Sequence, residues 1–197
     1  LRIKNEGSRN KDREYLDDET FVSKQFGYYF KKGIGLFEFI LGKQIKVYPY
    51  AEEPSVDFIR TLLNYPIASI LYQRGFFSLH ASAVQFEGKV YIFPGKSMSG
   101  KSSIAAYIIK NGGKLITEDT AVIDVHNGRI KVRSSYPFIK LSPEANNELS
   151  FSSDPGFQLP HDKNSRLGYL LKKTNFQTES VYVDYCIFLE FSDLNCI

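Results

Sequence analysis

The sequence predicts an α/β protein, a mixed sheet with hairpins organised around a phosphate-binding loop, with a small β-rich portion ahead of it. Three observations carry this. The apolar run Val90-Tyr91-Ile92-Phe93 leads through Pro94 into G-x-x-x-x-G-K-S at Gly95–Ser102, and a helical pattern follows without a break. Glu87-Gly88 and Asn127-Gly128 are two-residue turns between β-like runs. Aromatic and β-branched runs at 26–30, 36–41 and 45–48 are separated by Gly33, Gly35 and Gly42.

Composition narrows the class. The chain has 197 residues, enough for one compact domain with a small satellite. It is 43% hydrophobic and 24% charged, as an ordinary globular protein is. A formal charge of +3 is too small to argue for nucleic acid or an acidic membrane surface as partner. Two cysteines, Cys186 and Cys196, make no disulfide framework and fit a reducing, cytoplasmic setting. No apolar run reaches the length of a membrane span, and no secretory signal opens the chain. A start at Leu1 and a stop at Ile197, just after a strand-like run, read as a fragment with its C-terminus truncated.

Residues 1–20 are dominated by charge and read as a solvated lead-in or frayed edge. Residues 21–74 form the β-rich and helical N-terminal portion. There Ser55 can cap a helix over 56–64, and Pro66 opens another through Arg74. Phe58, Leu62, Leu63, Ile67, Ile70 and Leu71 follow helical spacing, and Gly75 ends the pattern. Residues 75–197 are the phosphate-loop core. Phe76–Phe86 reads as a strand that turns at Glu87-Gly88 into Lys89–Phe93. If Phe86 faces Lys89, then His80 faces Gly95, at the mouth of the loop. A lone strand histidine is ordinarily a packed one, but this neighbour makes His80 a candidate.

The loop chemistry dictates its residues. Gly95 and Gly100 let the backbone turn so that the amides of Gly95, Lys96, Ser97, Met98, Ser99, Gly100, Lys101, Ser102 and Ser103 can face one anion. The helix start adds free N–H groups and the positive end of its dipole. Lys101 would reach the β- and γ-phosphates of a nucleotide such as ATP, and the Ser102 hydroxyl would ligate Mg²⁺. The helix runs over 101–110 and stops at Asn111-Gly112-Gly113. A parallel strand at Lys114–Thr117 then returns Glu118 and Asp119 to the phosphate edge. One carboxylate there can hold Mg²⁺ and the other can take a proton from an attacking hydroxyl. In isolation the pair would be an ordinary acidic turn.

The remainder is simpler. Ala121–Val125 and Arg129–Val132 make a hairpin with His126 exposed beside its turn. Tyr136–Pro143 is extended, Pro143–Leu149 a short helix, and Ser150–Pro160 a loop. The run from His161 to Lys173 is a basic face, in which Lys163 and Arg166 are candidate cations for neutralising phosphate charge. Val181–Phe191 reads as a final buried strand.

Leu79-His80-Ala81-Ser82-Ala83-Val84, the hairpin, the phosphate loop, Gly112-Gly113-Lys114-Leu115 and Glu118-Asp119 resemble, in order and spacing, the HPr kinase/phosphorylase-like family. More closely, they are similar to its HPr-kinase-related serine kinases, which lack the regulatory phosphorylase half. The resemblance is strong over 75–124 and weaker through 136–149, 163–166 and the last strand. It implies a sheet-and-hairpin fold akin to the phosphoenolpyruvate carboxykinase core. It also implies an ATP- and Mg²⁺-dependent kinase acting on a serine hydroxyl of a protein, peptide or small molecule. By resemblance Asp119 is the base and His80 supports it; with Lys101, read from the loop itself, they make the candidate catalytic set. Glu118 stands where the family has a second aspartate and would share the metal with Ser102. Ser103 replaces a Thr or Glu, and Met98 a Gly, at positions that act through backbone. Nothing after Asp124 matches the stretch used for dephosphorylation and HPr docking. Phosphorylase activity, HPr as substrate and the family's hexamer are therefore not expected, while a homo-oligomer stays compatible. The alternatives are a kinase of free serine or a similar hydroxyl compound, and a non-catalytic ATP-binding module.

Overall fold

A boundary at Phe77/Ser78 divides the chain into two units. They are described from a computed structural model covering residues 2–5, 17–51, 55–159 and 165–190. The architecture is mixed α/β, with several largely antiparallel sheets and few helices.

The first unit is a five-stranded sheet with two helices. Its strands are β1 (Arg2–Asn5), β2 (Glu19–Val22), β3 (Phe26–Lys31), β4 (Gly35–Ile40) and β5 (Gln44–Pro49), in the order β1-β5-β4-β3-β2. The meander β2–β5 is antiparallel, and β1 joins β5 in parallel. The charged stretch 1–20 is thus not wholly a lead-in, because both of its described ends supply edge strands. Charge marks an edge as readily as a tail: Ile3 stays half exposed, and only the far side of each strand is paired. Alternation along β4 sends Phe37 and Phe39 to one face. There they pack with Ile45, Val47, Phe58 and Ile70 under helices α1 (Val56–Leu63) and α2 (Tyr65–Gln73). Ser55 caps α1 by accepting from the Phe58 amide at 3.1 Å.

The second unit positions the site. Its strand β6 (Phe77–Leu79) starts at the boundary residue, and β7 (Ala81–Phe86), β8 (Lys89–Pro94), α3 (Lys101–Lys110), β9 (Lys114–Thr117), β10 (Ala121–His126), β11 (Arg129–Val132) and β12 (Phe138–Leu141) follow. After these come α4 (Pro143–Leu149), β13 (Phe157–Gln158), β14 (Leu167–Leu170), β15 (Val181–Tyr182) and β16 (Tyr185–Cys186). The central sheet has the order β16-β8-β7-β9. Strand β7 is antiparallel to both β8 and β9, so β8 and β9 run the same way with β7 between them. Period-two alternation gives each strand two buried faces. Ala81, Ala83, Val90, Ile92 and Ile116 pack against the β10–β11 hairpin. Val84, Phe93 and Leu115 pack against Ala105, Ala106 and Ile109 of α3 and against Ile139, Leu141 and Tyr169.

Three sequence expectations need correction here. The expected strand over 76–86 breaks at His80: β6 joins the sheet of β10, and β7 the central sheet. The expected buried strand over 181–191 is two short pieces, β15 on β11 and β16 on β8. The break is at Asp184, whose carboxylate accepts from the Val90 amide at 2.9 Å and turns the chain between sheets. Nor is it buried: β16 is an edge strand, and Phe188 is 73% exposed. The expected loop at 150–160 also carries β13, paired to β14.

Candidate active site

Parallel β8 and β9 end on the same edge of the central sheet, which brings the phosphate loop and the acidic pair together. Between Pro94 and Lys101 the chain takes left-handed conformations at Met98 (φ +68°) and Gly100 (φ +85°). Gly100 is needed for that angle, whereas Gly95 is needed for space. A Cβ at Gly95 would lie 2.7 Å from the Ser99 hydroxyl. The first bond of α3 runs from the Ile104 amide to the Gly100 carbonyl at 2.9 Å, and no side chain caps the helix start. The amides of Lys101, Ser102 and Ser103 therefore point forward as donors for an anion.

Lys101, 6% exposed, folds back onto its own loop. Its ammonium donates to the Gly95 carbonyl at 3.0 Å and to the Lys96 carbonyl. Burial pushes its pKa below the ordinary lysine value, against the opposing pull of Asp119 and Glu118. The Ser102 hydroxyl donates to Glu118 Oε1 at 2.7 Å. Glu118 is 3% exposed, and its Oε2 accepts no hydrogen bond among the described residues. Burial pushes Glu118 up to about 7, moderated by the charge of Lys140 and the Ser102 bond.

Asp119 stands at φ +69°, in a three-residue turn closed by the Thr120 amide on the Glu118 carbonyl at 2.8 Å. Thr117 Oγ1 ties the turn from the other side, donating to the Thr120 carbonyl at 2.8 Å. A non-glycine residue held there costs on the order of 1 kcal/mol, which marks the position as one the surroundings impose. The turn throws the two successive carboxyls to different places. Glu118 goes under Ser102, while Asp119 meets Lys140 at Oδ2 and His80 Nδ1 at Oδ1, 3.3 Å away. The same Nδ1 lies 2.9 Å from the Asp119 main-chain oxygen. Burial alone would raise the Asp119 pKa. The Lys140 hydrogen bond and charge, with His80 and Arg166, outweigh it and hold the carboxyl below the usual range.

His80, Lys101, Ser102, Asp119 and Arg166 thus share one cleft, with Ser97, Met98, Gly100 and Ser103 also on its walls. Gly95, Lys96 and Ser99 line a second cavity with Phe188 and Leu189, and Ser97 borders both. The β7–β8 register puts the His80 carbonyl opposite the Gly95 amide, at 3.4 Å. Lys163 lies outside the described residues, whereas Lys172 and Lys173 are exposed. Sequence reasoning missed Lys140. Its signal was a lysine inside the apolar alternation Phe138-Ile139-Lys140-Leu141, where Ile139 and Leu141 are buried and the opposite face would ordinarily be wet.

Among the described residues no three His, Cys, Asp or Glu side chains form an all-protein metal cage. Mg²⁺ does not need one, since it takes one or two carboxylates and completes its shell with phosphate and water oxygens. The unbonded Glu118 Oε2 and the hydroxyl beside Oε1 are hard oxygen donors that fit this cation.

The buried carboxyl has a measurable consequence. A carboxyl whose folded pKa exceeds its unfolded value destabilises the fold progressively as pH rises from about 4.5 through about 7. Glu118→Gln in chelator is therefore expected to be more stable than wild type at pH 8, by about 3 kcal/mol at roughly 1.4 kcal/mol per pKa unit. At pH 4, below both values, the two should melt nearly together. Melting curves at the two pH values decide it, and a glutamine variant less stable at pH 8 would contradict the buried charge.

No protein-family model matches this chain. No curated protein matches it either. Among solved structures it is similar to the HPr(Ser) kinase/phosphatase from Coxiella burnetii, at 12% identity and a TM-score of 0.38. That match covers 56% of this chain and 63% of the other, so less than two thirds of the Coxiella chain is spanned. No helix of the described residues is long and apolar enough to cross a membrane.

Proposed function

We propose that this chain is an ATP- and Mg²⁺-dependent kinase that transfers the γ-phosphoryl group to a serine hydroxyl of a protein or peptide. The observation that carries the reading is the 2.7 Å contact of Ser102 with Glu118, with Asp119 on the next residue facing the same cleft. A loop that only sensed nucleotide would need neither carboxylate. The antiparallel β7 between β8 and β9 supports the phosphoenolpyruvate-carboxykinase-like arrangement over a doubly wound one.

Phosphoryl transfer asks for positioning and charge neutralisation more than for covalent chemistry. In this reading the loop amides and Lys101 bind the β- and γ-phosphates, and Ser102 with Glu118 would hold Mg²⁺. Bound there, the cation would draw negative charge from the bridging phosphate oxygens. Asp119 orients the acceptor hydroxyl and takes its proton as the new O–P bond forms. The γ-phosphorus parts from its bridging oxygen, which leaves on ADP. His80 fixes Asp119 through both its carboxylate and its main-chain oxygen. Arg166 adds positive charge near the transferred group.

The test is transfer from γ-labelled ATP with Mg²⁺ to serine peptides, to free serine and to no acceptor. Label in peptide is the expected result. Label in free serine would move the reading to a small-molecule kinase, and ATP binding with label nowhere would overturn it in favour of a binding module.

A further inference from the structure

We propose that Lys140 is a catalytic cation of this site, whose ammonium passes from the Glu118 and Asp119 carboxylates to the oxygens of the transferred phosphoryl group. The inference rests on the kinase reading above and names a residue that reading leaves unused.

Position supports it first. Strand β12 buries Ile139 and Leu141 in the α3 core, which turns Lys140 the other way, into the cleft of Ser97, Lys101 and Ser102. Its side chain is 16% exposed, and its four-carbon stem can re-aim the charge without moving the backbone. The partners argue next. Lys140 donates to Asp119 Oδ2 and stands 3.9 Å from Glu118 Oε2. Both carboxylates have other work in the reaction. An Oδ2 already accepting an ammonium hydrogen is a poor acceptor for a hydroxyl proton, and a dication on Glu118 would repel an ammonium at that distance. Those Lys140 contacts are therefore ones that a bound nucleotide and dication would have to break.

Charge supplies the destination. Lys101, Lys140 and Arg166 line the cleft together with Asp119, above the buried Glu118, and a triphosphate brings more negative charge than one dication offsets. Once displaced from the carboxylates, Lys140 would turn to the equatorial γ-oxygens, the uncompensated charge that the kinase reading puts in the same cleft. Its departure vacates Asp119 Oδ2 for the proton of the attacking hydroxyl while the phosphorus–bridging-oxygen bond breaks. A counter-ion confined to Asp119 would act only through that carboxylate, so the two roles separate once the carboxylate is removed.

The probe is ADP·Mg²⁺ with and without aluminium fluoride, a planar mimic of the transferring group, titrated by calorimetry. Lys140→Met is expected to lose about 10- to 100-fold in affinity for the fluoride complex, the worth of one charged hydrogen bond, with ADP alone changed less than about threefold. Lys140→Gln keeps a donor for Asp119 without the charge and should show the same loss even if the methionine variant folds poorly. Lys140→Arg should recover part of it. The loss should persist in an Asp119→Asn background. Equal fluoride-complex affinity in Asp119→Asn with and without Lys140→Gln would overturn the proposal and leave Lys140 a counter-ion. A wild type that binds the fluoride complex no tighter than ADP would sink the kinase reading itself, and this inference with it.

Discussion

Asp119→Asn is expected to lower phosphoryl transfer by about 10²- to 10⁴-fold, the range for loss of a general base, while changing ATP affinity by less than about threefold. The separation follows from the local geometry. The variant keeps the shape of the side chain and an oxygen that can accept from Lys140, so the cleft wall stays in place. The His80 contact to the main-chain oxygen at 2.9 Å does not depend on the carboxylate at all. Asparagine also tolerates the left-handed backbone that residue 119 adopts. What disappears is the capacity to take a proton. Glu118, which would hold the metal, is untouched and keeps its bond to Ser102. Transfer measured with a true acceptor, beside calorimetric ATP binding, reads the two effects apart. Wild-type transfer by the asparagine variant would remove Asp119 as base.

The parts of this site that short-range chemistry determines were legible in the sequence. Helix α3 begins at Lys101 and ends at Lys110 because a loop glycine precedes it and Asn111-Gly112-Gly113 follows. The hairpin turn at Glu87-Gly88 fixes Phe86 against Lys89, and the rest of the register down to Ala81 and Pro94 follows by counting. His80 beside Gly95 is a consequence of that count.

What escaped depends on segments that meet only after folding. Strand β1 pairs with β5 across some forty residues, and its alternation is too polar and too short to announce a partner. The break at His80 arises because β6 finds β10 rather than β8, a choice between two sheets that no local signal encodes. Asp184 does the same at the other end, by accepting from a β8 amide 94 residues earlier. Lys140 reaches Asp119 because β12 is packed under α3 with β14 beside it. A lysine between two buried aliphatics was visible, but the carboxylates it would meet were not. The acidic pair shows the same division. Its place at the end of β9 could be counted, whereas the turn that sends Glu118 and Asp119 to different partners is a tertiary outcome.

Lys101→Ala should behave differently from Asp119→Asn, because it strikes binding and chemistry together. The ammonium serves the loop itself, bonded to the Gly95 and Lys96 carbonyls. In the proposed reading a bound triphosphate would take over that ammonium, exchanging two neutral acceptors for charged ones. Charged hydrogen bonds contribute about 1.5–3 kcal/mol each, so alanine should weaken ATP binding by roughly 10- to 100-fold. Transfer should fall further still, since the charge on the γ-oxygens must be held in the transition state as well. The fold itself should change little. Removing a buried ammonium whose pKa burial depresses relieves a desolvation cost, while the two loop carbonyls lose a donor, and the terms oppose each other. The readout is therefore the thermal shift produced by Mg²⁺ and ATP. Wild type should gain stability with ligand concentration as mass action requires, and the alanine variant should melt near the wild-type ligand-free temperature with little gain. An undiminished shift in the alanine variant would mean that the nucleotide, if it binds, does so away from this loop. Intact binding with transfer lost would instead confine Lys101 to the chemical step.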